Sequence, residues 1–125
     1  MSWIEELTQI SFYSINSYMI EGHGFQLFET KNKGKTRIFA RGNPNKHSSI
    51  MMIEILSSKK PTHYLNIYLG SDYNISNLKT DILSNGYKFN GWNKYDYLVY
   101  NKGSATFLIS RKPSEKGITQ IMYNR

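Results

Sequence analysis

Apolar residues near the start of the chain recur at helical spacing. Trp3, Ile4, Leu7, Ile10, Ile15 and Tyr18 fall within one broad stripe at about 100° per residue, while Glu5, Glu6 and Gln9 lie away from it. Ser2 followed by Glu5 fits a capping box, and Gly22 and Gly24 are stop signals, so the pattern predicts one helix between them. Phe12, Tyr13 and Ile20 fall off the stripe, which predicts cover on more than one side.

Beyond Gly24 the period shortens to two. Leu65, Ile67 and Leu69 alternate with Tyr64, Asn66 and Tyr68, and Met51, Ile53 and Ile55 alternate with Met52 and Glu54. Strands are expected near 25–31, 35–41, 49–57 and 62–70, separated by turns at Asn32-Lys33-Gly34, Gly42-Asn43-Pro44-Asn45 and Lys59-Lys60-Pro61. A second helix follows, with Asn74 or Ser76 as N-cap, Ile75, Leu78, Ile82 and Leu83 as its buried stripe, and Asn85-Gly86 as a left-handed stop. The chain then returns to strands near 87–89, 95–100, 104–111 and 118–123, with Ala105, Phe107 and Ile109 facing inward.

Short links favour antiparallel pairing. The expectation is an α+β fold: a single domain over residues 1–125, with two helices packed on a largely antiparallel sheet of six to seven strands. The two parts share an outline, a helix followed by glycine and an aromatic-bearing strand, "GHGFQLF" in one and "NGYKFNGW" in the other. Residue identity between them is too slight to establish a repeat.

Composition narrows the function. The chain of 125 residues has no cysteine, which excludes disulfides, thiolate zinc sites and cysteine nucleophiles, and fits a cytoplasmic address. Its opening "MSWIEELTQI" lacks the pattern of a secretory signal, and no stretch approaches the roughly 20 apolar residues of a membrane helix, so no membrane partner is expected. A formal net charge of +7 favours an anionic counterpart.

Those cations cluster in "KNKGKTRIFARGNPNK", where Lys31, Lys33, Lys35, Arg37, Arg41 and Lys46 occur with no Asp or Glu between Glu29 and Glu54. Arg37 and Arg41 share one side of their strand with Phe39, and cations interleaved with an exposed aromatic suit single-stranded RNA or an acidic protein surface. A solvated hairpin whose charges guard an edge strand is the plainer alternative. The segment "NGWNKYDYLVY" concentrates Trp92, Tyr95, Tyr97 and Tyr100, which offer large contact area at low rotamer cost but equally suit a core. Two of the three histidines, His23, His47 and His63, with Lys46 or a tyrosine offer the one catalytic candidate, a metal-independent ribonuclease site for which His47 and His63 must face each other across a cleft; surface or turn histidines are the plainer alternative. The nine carboxylates are scattered without metal-ligand spacing, and no glycine cluster has phosphate-loop form, so no metal and no cofactor is expected.

The stretch "LKTDILSNGYKFNGWNKYDYLVYNKGSATFLISRKP" resembles, in layout, the closing third of small immunity proteins from bacterial toxin-immunity systems, including those of contact-dependent growth inhibition. The resemblance implies a cytoplasmic, non-enzymatic protein that binds a cognate toxin domain and blocks its active site. It supplies no functional residues to carry over. Immunity proteins directed at nucleases are frequently acidic, whereas this chain is basic, so the implied toxin presents an acidic surface. On that reading the partner contacts are expected at Lys31, Lys33, Lys35, Arg37, Phe39, Arg41, Lys46, Trp92, Tyr95 and Tyr97. An RNA-binding domain or a toxin nuclease is the alternative.

Overall fold

The single helix expected at the start is two. In the computed structural model, which describes residues 2–43, 45–57 and 63–125, α1 spans Ser2–Leu7 and α2 spans Ile15–His23. The Ser2 hydroxyl of the expected capping box, Pro44 and the turn at Lys59-Lys60-Pro61 lie outside the described residues and side chains. Helix α1 ends because the Thr8 hydroxyl bonds back to the Glu5 carbonyl at 2.7 Å and the Gln9 amide closes a tighter turn onto Glu6. Carbonyls of the linker are then satisfied from the sheet instead. Thr8 accepts from the His63 backbone at 2.9 Å, Ile10 lies 2.7 Å from His63 Nε2, and Phe12 accepts from Arg37 Nη1 at 2.7 Å. Helix α2 stops at Gly24, in the left-handed region at φ 70°, whose amide returns to the Met19 carbonyl.

Eight strands follow, not six or seven: β1 Gln26–Lys31, β2 Thr36–Arg41, β3 Met51–Leu56, β4 Tyr64–Leu69, β5 Lys88–Trp92, β6 Tyr97–Lys102, β7 Ala105–Ser110 and β8 Thr119–Asn124. Helix α3, Ile75–Ser84, crosses between β4 and β5. Its expected signals operate, with the Asn74 side chain accepting from the Asn77 amide at 3.0 Å and Gly86 at φ 92° after the last turn. Leu83, expected in its buried stripe, is exposed; Ile82 is the fully buried residue.

All pairs are antiparallel, in the order β1-β2-β3-β4-β8-β7-β6-β5. Two four-strand meanders, each preceded by a helix and a left-handed glycine, therefore meet along β4 and β8. Phe25 and Tyr87, the residues after Gly24 and Gly86, are both buried, and β1 and β5 are both interrupted by a register shift. The shared outline read from the sequence is thus a duplication of architecture, with two edge strands made irregular, which discourages further pairing.

Alternation within the strands sets the layers. Phe39, Ile53, Ile55, Leu65, Ile67, Ile121, Tyr123, Phe107 and Ile109 face one way and pack with Ile4, Leu7, Ile15, Met19 and Ile82 of the helices. Each such side chain, once fully buried, contributes about 1.5–3 kcal/mol. The other face has no helix over it among the described residues. Its rows mix apolar with polar groups that bond across strands, Asn66 to Glu54 at 2.9 Å, Tyr97 to Gln120 at 2.8 Å and Asn101 to Thr106 at 2.9 Å.

Candidate partner-binding surface

Strand β2 divides the basic segment. Its first residues, with the turn after β1, lie at one end of the sheet, together with the start of β5, the β6–β7 turn and the end of β8. This is the Gly34 end. Arg41 and the loop carrying Lys46 lie at the other, the Gly70 end, about 20 Å away for a six-residue strand.

The two arginines are structural. Arg37 lies half-buried on the helix side, bonded to the Phe12 carbonyl, to Asn16 Oδ1 at 3.1 Å and to the Gly34 carbonyl at 3.3 Å, with its guanidinium 4.5 Å from the Phe12 ring centre. Arg41 donates to the His23 carbonyl at 2.9 Å and lies 4.6 Å from the centre of the Phe25 ring. A cation at that helix C-terminus answers both its free carbonyls and its dipole. Phe39, expected to be an exposed aromatic, is 0% exposed in the core. The alternation of Arg37, Phe39 and Arg41 was read correctly, but the side they share faces the helices.

Lys46 pairs with Asp72 at 3.2 Å, both side chains exposed. Lys31, Lys33 and Lys35 are exposed and have no ion pair among the described residues. Of the six cations, one meets a carboxylate, two meet carbonyls, and three stand at the hairpin tip facing solvent.

The aromatic candidates occupy the opposite corner. Trp92 is 61% and Tyr95 69% exposed at the β5–β6 turn, where Arg111 lies 4.8 Å from the Trp92 ring centre and Lys94 5.1 Å from that of Tyr95. Arg111 also pairs with Asp96 at 3.3 Å, while Tyr97 lies half-buried on the helix-free face. The two hairpin tips are separated by six strand spacings, about 30 Å along the sheet, so they form two patches and not one.

The histidines do not converge. His63 is 9% exposed at the start of β4, its Nε2 bonded to Ile10 and its ring 4.8 Å from that of Phe12, leaving Nδ1 buried without a partner among the described residues. His47 is exposed in a loop that packs on Gly70, past the far end of β4. Roughly 20 Å of strand lies between them, well beyond what one scissile phosphate spans. The ribonuclease geometry proposed for His47, His63 and Lys46 is therefore absent. His23 stacks between Trp3 and Tyr18, and no group of three or more metal-ligating side chains gathers among the described residues.

Sequence reasoning missed what the sheet assembles. Lys88 and Arg125 join the Gly34 end through β5 and β8, with no local signal linking them to residues 31–35. Phe28, exposed, lines a cleft of about 480 Å³ with Gln26, Ala40, Ile50 and Met52 at the Gly70 end. A cleft of about 250 Å³ opens between α1, α3 and the sheet, lined by Trp3, Met51, Leu69, Tyr73 and Leu78. No family model, curated protein or solved structure matches the chain.

Proposed function

We propose that this chain is an immunity protein: a non-catalytic module, acting in the cytoplasm, that binds a cognate bacterial toxin domain with an acidic surface and blocks its active site. The observation that carries this reading is how the fold uses its candidate side chains. Arg37, Arg41 and His63 brace helices and linker, while Lys31, Lys33 and Lys35 at one corner and Trp92 and Tyr95 at the other remain exposed. Exposed cations and aromatics on short, braced hairpins are contact groups without a reaction centre between them. The layout resemblance of residues 78–113 to immunity proteins of contact-dependent growth inhibition points the same way.

The test is co-expression with the C-terminal domain encoded by the gene immediately upstream. The expected outcome is a stable heterodimer on size exclusion and protection of cells from that domain. Degradation of bulk RNA by the purified chain, abolished by His47→Ala or His63→Ala, would overturn the proposal.

A further inference from the structure

The cations of this protein are unevenly answered. Both ion pairs among the described residues, Lys46–Asp72 and Arg111–Asp96, lie at the Gly70 end. At the Gly34 end the sheet gathers Lys31, Lys33, Lys35, Lys88, Lys102 and Arg125. Segments 30–36, 82–90, 97–110 and 116–125, which contribute to this end, contain no Asp or Glu, while Glu29 and Glu54 lie one row inward on the helix-free face. Lys102 caps α3, donating to the Asn85 carbonyl at 2.8 Å. The other lysines are exposed and have no ion pair among the described residues.

Register places Lys31 and Lys88 at the two ends of one run across the helix-free face. Lys31 opposes Thr36, Thr36 opposes Leu56 and Leu56 opposes Tyr64; from the other edge, Lys88 opposes Asn101, Asn101 opposes Thr106 and Thr106 opposes Asn124. Among the described residues, the paired positions between the two lysines are uncharged. We infer that this end of the sheet, with its cationic corners at residues 31–35 and at Lys88, is the surface that receives the acidic partner; the inference rests on the immunity reading.

The arrangement favours a protein over a nucleic acid. A backbone-tracking surface requires a continuous line of cations, whereas the lysines here stand at two corners with an uncharged run of described residues between them. An uncharged centre containing Leu56 and Tyr64, flanked by charged corners about 30 Å apart, has instead the anatomy and width of a standard protein interface of roughly 800 Å² per partner. The corner lysines steer association, so their removal acts chiefly on the on-rate and its salt dependence.

The experiment immobilises the upstream-encoded domain and measures binding kinetics at about 50–300 mM salt for three proteins. These are the wild-type chain, a rim variant (K33E, K35E, K88E) and a far-end control (K79E, K112E, K116E). Expected is a loss of about tenfold or more in on-rate for the rim variant at low salt, with a flattened salt dependence, and less than about threefold for the control. Wild-type binding that the rim variant leaves intact, or that the control weakens as much, overturns the inference while the immunity reading stands. No wild-type binding overturns both. Tight binding of labelled single-stranded oligouridylate that the rim variant loses reassigns this end to nucleic acid and likewise overturns the inference.

Discussion

Arg37 and Lys35 lie two residues apart with the same charge, yet the structure gives them different work. Lys35 extends into solvent, whereas Arg37 holds the α1–α2 linker through Phe12 and Asn16. Hydrogen bonds to charged groups contribute about 1.5–3 kcal/mol, so Arg37→Ala is expected to lower unfolding stability by about 2–3 kcal/mol in urea titrations, with Lys35→Ala leaving the midpoint unmoved. Arg37→Lys rescues little, because a single ammonium cannot reproduce a fork that reaches Phe12, Asn16 and Gly34 while stacking on a ring. The histidines divide in the same way. His63→Ala removes the bond to Ile10 and opens space beside Phe12, and is expected to cost about 1–3 kcal/mol, while His47→Ala leaves the denaturation curve in place. Nothing local distinguishes these members of each pair. Their roles follow from which strand face meets the helices, and the alternation of β2 is compatible with either choice until Phe39 is buried.

At the scale of elements the sequence was more legible, since strand alternation and turn chemistry act over a few residues. Strands β3, β4 and β7 alternate in sequence as they do in burial, whereas β5, Lys88–Trp92, has no β-branched residue and is expected from the sequence only over 87–89; Gly24, Asn74 and Gly86 act as caps where their residue types require. The break between α1 and α2 was hidden because Ile10 continues the helical stripe. What interrupts it is competition for carbonyls from His63 and Arg37, which are distant in sequence. Gly70 is a second case of long-range control. A Cβ built there would collide with the carbonyls of His47 and Ser48, and the Gly70 amide itself bonds to Ile50, fixing the loop that carries Lys46. Gly70→Ala is expected to destabilise by about 1–3 kcal/mol, and Gly22→Ala, in α2 with open space around it, to stabilise by about 0.4–1 kcal/mol. Two substitutions of identical chemistry with opposite signs in thermal unfolding check the packing directly. Equal effects would contradict it.

For the whole molecule, local signals end where the fold depends on contacts between distant residues, and one such set closes the second meander from the entry of β5 to β8. Tyr123 on β8 lies beside Phe107 on β7, their ring centres 4.3 Å apart, and its hydroxyl is 2.9 Å from that of Tyr87, which leads into β5. Burial raises both phenols above the ordinary tyrosine range, Tyr87 farthest, with its bond to Tyr123 adding to the shift. Tyr68 on the helix-free face and Tyr100 are raised by burial as well. A group whose folded value lies above its unfolded one contributes stability that is complete below the unfolded value, about 10 for tyrosine, and is lost as pH rises from there toward the folded value. Unfolding free energy is therefore expected to fall with pH above about 10, each phenol that stays protonated in the fold contributing up to about 1.4 kcal/mol per pH unit. Replacing both partners of the pair, Tyr87→Phe with Tyr123→Phe, leaves no buried hydroxyl unpaired, so stability near pH 8 should change little. The same double variant should reduce the alkaline slope by up to about 2.7 kcal/mol per pH unit, the remainder belonging to Tyr18, Tyr68 and Tyr100. Urea titrations between about pH 8 and 11, paired with phenolate absorbance, measure both quantities. An unchanged slope in the double variant would place the alkaline sensitivity away from this pair and overturn the claim that its buried hydroxyls tie the first and last strands of the second meander together.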